Sequence, residues 1–167
     1  MILITVIGES VATPENYCVA EKVGELIGKC GAVLISGGRE GVMEAACRGA
    51  KKAGGMTIGI LPGSKKEDGN KYVDIPILTG MGYARNKIVV KTGQAIIAIG
   101  GGYGTLSEIG FALGYNIPVI GLNTWEFFKH GKTKDTKIIH VATPEEAVER
   151  ALELIKNPPK ITPKGKD

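Results

Sequence analysis

Cysteine is scarce in this chain and follows no recognisable pattern. Cys18, Cys30 and Cys47 are odd in number, fall in helical stretches and show no CxxC or Cys/His ligand spacing. That argues against a disulfide framework and against any metal site. They read instead as small buried apolar residues of a protein kept in a reducing cytoplasm. Aromatic residues are also sparse, at 5%, and no basic stripe interleaves with them, so a nucleic-acid partner is not expected. The net charge of +4 does not change this, because nearly all of it sits in residues 156–167, beyond the expected fold. Long hydrophobic runs are missing too. The opening stretch lacks a basic flank and reaches Gly8 and Glu9 too soon for a signal peptide or a membrane span.

What is present is enough for one ordinary core: 167 residues of which 43% are hydrophobic. Short apolar runs alternate with helical patterns from end to end, which predicts the α/β class, a doubly wound parallel sheet with helices on both faces in a single domain. Seven strands are expected, at 2–7, 32–36, 57–61, 72–78, 95–99, 118–122 and 137–141. Pro76 removes a ladder donor from the fourth and suggests an edge position or no strand. Thr13-Pro14-Glu15 and Thr143-Pro144-Glu145-Glu146 mark helix starts, with a hydroxyl at the cap, proline next and acid in the first turn. Gly31 should close the first helix in a left-handed conformation. The domain is expected to span residues 1–157, and residues 158–167, rich in lysine and proline, are expected to form a mobile tail.

Glycine is the abundant residue, with 25 in the chain, and it gathers where strands end. Gly100-Gly101-Gly102-Tyr103-Gly104-Thr105 joins the fifth strand to a helical pattern, and Ser36-Gly37-Gly38-Arg39-Glu40-Gly41 does the same after the second. Residues without a Cβ let backbone N–H groups approach an anion, and the N–H groups at a helix start lack intrahelical partners. In an open parallel sheet, ligands bind outside the carboxyl ends of the strands where the strand order reverses. Gly8 and Ser10, Gly37, Gly38 and Gly41, and Gly101, Gly102, Tyr103, Gly104 and Thr105 are therefore candidates to line one phosphate-binding crevice. For Gly8, tight packing is an equal alternative. The turn after the first strand lacks G-x-G-x-x-G, and no G-x-x-x-x-G-K-[ST] occurs, so neither a standard dinucleotide site nor a P-loop is expected.

Two charged residues leave alternatives open. Thr105 and Glu108 have the spacing of a capping box, in which the glutamate only reaches back to a backbone N–H. Arg85 can fork onto a phosphate or orient a carboxylate, or it can serve as a surface ion pair or packing stem. Lys87 and Lys91 read as a solvated helix face, and His130 and His140 lack ligand spacing.

With Arg85 and Gly101-Gly102-Tyr103-Gly104-Thr105-Leu106-Ser107-Glu108 in hand, the sequence resembles the LOG ("Lonely guy") or lysine-decarboxylase-like family of Rossmann-like proteins. The hallmark is Pro-Gly-Gly-x-Gly-Thr-x-x-Glu, here with Gly100 in place of proline. Gly37-Gly38-Arg39-Glu40-Gly41-Val42-Met43 matches a second family turn, Gly-Gly-x-x-Gly-x-Met. The resemblance implies hydrolysis of the N-glycosidic bond of a nucleoside 5′-monophosphate to base and ribose 5-phosphate. Glu108 would activate water or stabilise the sugar cation and Arg85 would orient it, both as catalytic residues and with no cofactor. Where the plant-type enzymes have Met-His-x-Arg-Lys, this chain has Gly82-Tyr83-Ala84-Arg85-Asn86, and Ser107 stands where they often have a second acid. These departures resemble a branch of molybdenum-cofactor carrier proteins, which bind a phosphorylated pterin without transforming it. Two readings follow, the phosphoribohydrolase first and the non-catalytic carrier or sensor second. The family resemblance also implies a homodimer or homotetramer.

Overall fold

In this computed structural model residues 1–131 and 133–158 are described. Strands β1 (Leu3–Gly8), β2 (Val33–Ser36), β3 (Thr57–Leu61), β4 (Ile75–Leu78), β5 (Ala95–Ile99) and β6 (Val119–Leu122) precede a small hairpin of β7 (Phe128–Lys129) and β8 (Thr133–Lys134). Strand β9 (Ile138–His140) completes the set. All but the hairpin join one parallel sheet in the order β4-β3-β2-β1-β5-β6-β9. The chain builds outward from β1 through β2, β3 and β4, then returns to lay β5 on the other side of β1. That reversal opens a crevice at the carboxyl ends of β1 and β5.

Helices α1 (Pro14–Lys29), α2 (Val42–Lys52) and α5 (Pro144–Lys156) cover one face, and α3 (Asn86–Thr92) and α4 (Tyr103–Gly114) the other. The period-two alternation of a strand explains the division. On β5, Ala95, Ile97 and Ile99 face the first helix layer, while Ile96 and Ala98 face the second. All five are fully buried, and each isoleucine contributes on the order of 1.5–3 kcal/mol by leaving water. Strand β4 is the opposite case, with every residue exposed and Pro76 opposite Gly59. A proline is tolerated there because the outer edge of the sheet has no strand needing its N–H.

The helix caps follow the local chemistry. Thr13 Oγ1 accepts from Asn16 N–H at 3.1 Å, and Thr143 Oγ1 accepts from Glu146 N–H at 3.2 Å. Gly31 has φ 71°, the left-handed closure of α1. Lys87 and Lys91 are exposed, and their ammonium groups stand 5.7 and 5.0 Å from the Tyr115 ring centroid. The cysteine expectation needs correction: only Cys47 is buried, while Cys18 and Cys30 are exposed. Cys18 falls on the solvent side of α1 and Cys30 is its C-cap, beyond the apolar stripe. Burial pushes the Cys47 thiol up to about 11. The expected tail, apart from Pro158, lies outside the described residues. Among the described residues no helix is long and apolar enough to cross a membrane.

Candidate functional site

The crevice between β1 and β5 holds a cavity of about 820 Å³, within the range of small-ligand sites. Its floor is the start of α4. Gly102 is the N-cap and offers no side chain, and the first helical bond runs from Leu106 N–H to the Gly102 carbonyl at 2.9 Å. The N–H groups of Tyr103, Gly104 and Thr105 precede that bond and have no intrahelical acceptor. Together with the helix dipole they make this end of the cavity receptive to an anion.

The same geometry overturns the capping-box expectation. Because α4 begins at Tyr103, Thr105 is its third residue and not its cap, and Glu108 lies one turn further in. Glu108 is 6% exposed and points at Arg85, itself 7% exposed. Arg85 ends a tight 3₁₀ turn, Gly82–Arg85, that delivers it beneath the cavity rather than to the surface. Its NH1 donates to Asn86 Oδ1 at 2.7 Å and to Glu108 Oε1 at 3.4 Å, and its NH2 donates to the Gly37 carbonyl at 3.4 Å. Nε is buried with no partner. The guanidinium is thus held by one good bond and two long ones, which leaves much of its donor capacity unspent. Burial pushes the Glu108 carboxyl up to about 7, with the Arg85 charge pulling the other way. Burial also lowers the Arg85 pKa, against the attraction of Glu108.

Asn86, 4% exposed, links this pair to the cradle. Its Nδ2 donates to Ser107 Oγ at 3.0 Å, and Ser107 Oγ donates to the Gly104 carbonyl at 2.7 Å. Two of the positions at which the sequence departs from the enzymes of the resembling family, Asn86 and Ser107, therefore touch each other. Glu9 is a second unforeseen partner. Its Oε1 accepts from Asn16 Nδ2 at 2.8 Å and its Oε2 from Gly101 N–H at 2.9 Å, tying the turn after β1 to the turn after β5. Gly100, between them, has φ 56°, and a Cβ there would meet Asn16 Nδ2 at 2.5 Å and both Glu9 carboxylate oxygens at 2.9 Å.

Gly8, Ser10, Arg85, Gly101, Gly102, Tyr103, Gly104, Thr105 and Glu108 all line the cavity. Gly37, Gly38 and Gly41 do not; they pack behind it, and the turn they form presents Arg39 and Glu40 to it instead. Glu9, Arg39, Tyr83 and Asn86 are among the lining residues to which the sequence assigned no role. Arg39 could have been found as the one cation inside a glycine turn, whereas Glu9 and Asn86 act through partners 92 and 21 residues away. A neighbouring opening of about 760 Å³ shares Arg39, Glu40 and Pro62 and carries Glu44, Glu67 and Asp68. Lys71 lines it as well, so the opening is mixed in charge with acid in excess. Among the described residues no three His, Cys, Asp or Glu side chains group closely enough to hold a metal ion.

Known proteins share this architecture. The molybdenum cofactor binding protein of the phototrophic bacterium Rippkaea orientalis is 40% identical, with a TM-score of 0.84 over 92% of this chain and 97% of that one. The molybdenum cofactor carrier protein of Chlamydomonas reinhardtii is 34% identical, with a TM-score of 0.84 over 93% and 99%. A cytokinin riboside 5′-monophosphate phosphoribohydrolase of Mycobacterium tuberculosis is 29% identical over 119 residues, 66% of this chain and 64% of that protein. The SLOG cluster4 family model matches residues 1–148. On that match, which takes in every strand and the whole cavity, this chain belongs to the SLOG cluster4 family.

Proposed function

We propose that this protein binds a phosphorylated pterin of the molybdenum-cofactor type and carries it without transforming it. The observation that carries this reading is the likeness, over more than nine-tenths of both chains, to two proteins described as binding or carrying that cofactor. The hydrolase likeness is lower in identity and covers two-thirds of the chain. The order of the two readings is thereby reversed from that suggested by the Pro-Gly-Gly-like motif. The site geometry supports the carrier. A phosphate fits the N–H groups of Tyr103, Gly104 and Thr105, and Arg39 and the part-satisfied Arg85 guanidinium line the same cavity. Glu108 faces Arg85 rather than open solvent, 3.4 Å from its NH1, with both side chains buried. In this reading the cargo is small, the protein works in the cytoplasm, and it assembles as a homodimer or homotetramer.

Calorimetry with a phosphorylated pterin, paired with a ribose 5-phosphate assay on a panel of nucleoside monophosphates, tests it. The expected result is tight binding of the pterin with no ribose 5-phosphate released. Turnover on any monophosphate that disappears in Glu108→Gln would make the protein a phosphoribohydrolase instead.

A further inference from the structure

Tyr83 and Tyr103 stand on the lip of the cavity, 84% and 83% exposed, with Val11 also exposed in its lining. Tyr83 comes from the 3₁₀ turn that delivers Arg85, and Tyr103 is the first residue of α4. A Cβ at Gly104 would lie 3.9 Å from Tyr83 Cε1, so the Tyr83 ring overhangs the first turn of α4 that Tyr103 begins. The floor between them is bare backbone, since Gly101, Gly102 and Gly104 carry no side chains and a Cβ at Gly102 would meet nothing within 4 Å. Two exposed aromatic faces beside a flat, side-chain-free floor and an anion-receptive helix start match a ligand with a planar ring at one end and a phosphate at the other. Aromatic faces suit such a ring because stacking needs no particular hydrogen-bond pattern.

We propose that Tyr83 and Tyr103 form the ring-recognition wall of the site, stacking on a flat heteroaromatic system whose phosphate sits at the start of α4. The inference rests on the phosphate cradle of the proposed function and assigns the other half of the ligand. Tyr103 also packs against the chain's single tryptophan, with the ring centroids of Tyr103 and Trp125 6.2 Å apart at 34°. A ring stacking on Tyr103 therefore changes the environment of Trp125.

Two probes separate the halves: GMP, whose guanine shares its amino-oxo-pyrimidine half with a pterin, and ribose 5-phosphate, which keeps the phosphate and has no ring. Calorimetry on the wild type should find GMP bound at least tenfold more tightly than ribose 5-phosphate, with a change in Trp125 emission for GMP alone. Tyr83→Ala and Tyr103→Ala should each weaken GMP by on the order of tenfold and leave ribose 5-phosphate within twofold, while Tyr103→Phe retains GMP binding. Equal wild-type affinity for the two probes, or alanine variants that weaken both alike, overturns the ring wall and leaves the cradle standing. GMP and ribose 5-phosphate affinities that are both unchanged in Gly102→Val overturn the cradle and the wall together. If the alanine variants dissociate an oligomer in sedimentation and bind GMP normally, the tyrosines belong to a contact between copies and the proposal fails.

Discussion

The turns after β2 and β5 are built from the same residue and end in opposite conditions. At the β2 turn the space a side chain would take is already filled by protein. A Cβ on Gly37 would meet Arg85 NH2 at 2.6 Å, one on Gly38 would meet Leu61 at 2.6 Å, and one on Gly41 would meet the Glu9 carbonyl at 2.4 Å. Its helix start is also spoken for, because Val42 N–H donates to that Glu9 carbonyl at 3.0 Å. At the β5 turn Gly100 and Gly101 are packed in the same way, against Asn16, Glu9 and Thr105, but Gly102 has open space around it, and the three residues of α4 whose N–H groups lack an intrahelical acceptor line the cavity. Glycine throughout the first turn lets the protein come close to itself; at Gly102 in the second it leaves room for a ligand. A Gly-rich loop is therefore a statement about close approach, and only the surroundings say by what.

The largest effect should come from placing a side chain where the protein is already in contact. Gly41→Val combines a φ of 68° with the Glu9 and Ser10 backbone at 2.4–2.6 Å, and should cost on the order of 4 kcal/mol in urea unfolding. If that variant proves as stable as Gly102→Val, the contrast between the turns is wrong. Placing the proline of the Pro-Gly-Gly motif at position 100 should come next. Gly100 has φ 56° and its N–H donates to the Leu122 carbonyl at 3.0 Å; proline permits neither, so Gly100→Pro should lose about 3 kcal/mol. A neutral outcome would mean that the turn has a second conformation.

The link between the turns is Arg85 with Glu108, and it should show in the pH dependence. Glu108 has a folded pKa near 7 against an ordinary value of 4.5, so the folded protein binds the extra proton between those values. Wild-type stability should therefore fall as pH rises from 4.5 to 7. Glu108→Gln lacks this titration, and the stability difference should move in its favour by at most about 3 kcal/mol across that window. Parallel urea curves for the two proteins across that window would show that Glu108 ionises freely. The smallest change in stability, about 1 kcal/mol or less, should belong to Gly102→Val, with its Cβ in open space. Its binding of a phosphorylated ligand should nonetheless be lost in calorimetry, because the branched side chain screens the N–H groups of α4.

Features fixed within a few residues were legible from sequence. Thr13-Pro14 and Thr143-Pro144 cap their helices as read, β3 and β5 fall at the expected residues, and Pro76 marks an edge. The strand–glycine–helix pattern also located the cavity, since both glycine turns supply residues to it. What failed depended on distant partners or on too little pattern. Thr105 and Glu108 have capping spacing, and only the position of the helix start, three residues earlier than that spacing implies, turns the glutamate inward to Arg85. The β7–β8 hairpin has two residues per strand, too few for an alternation, and its turn uses His130 and Gly131 at φ 52° and 68°. Cys18 and Cys30 were misjudged because residue type alone does not say which side of a helix faces water.

The contact between Asn86 and Ser107 restricts how such a site can change over descent. Position 86 is 4% exposed beside the Arg85 guanidinium, whereas position 107 is exposed. A lysine introduced alone at 86 would bury a second cation with no counter-charge, a costly state. An acid introduced alone at 107 would remain solvated and nearly free of penalty. Passage between this neutral pair and a lysine–acid pair at the same two positions thus has one permissive route. The acid has to arrive before the lysine, and on the way back the lysine has to leave first.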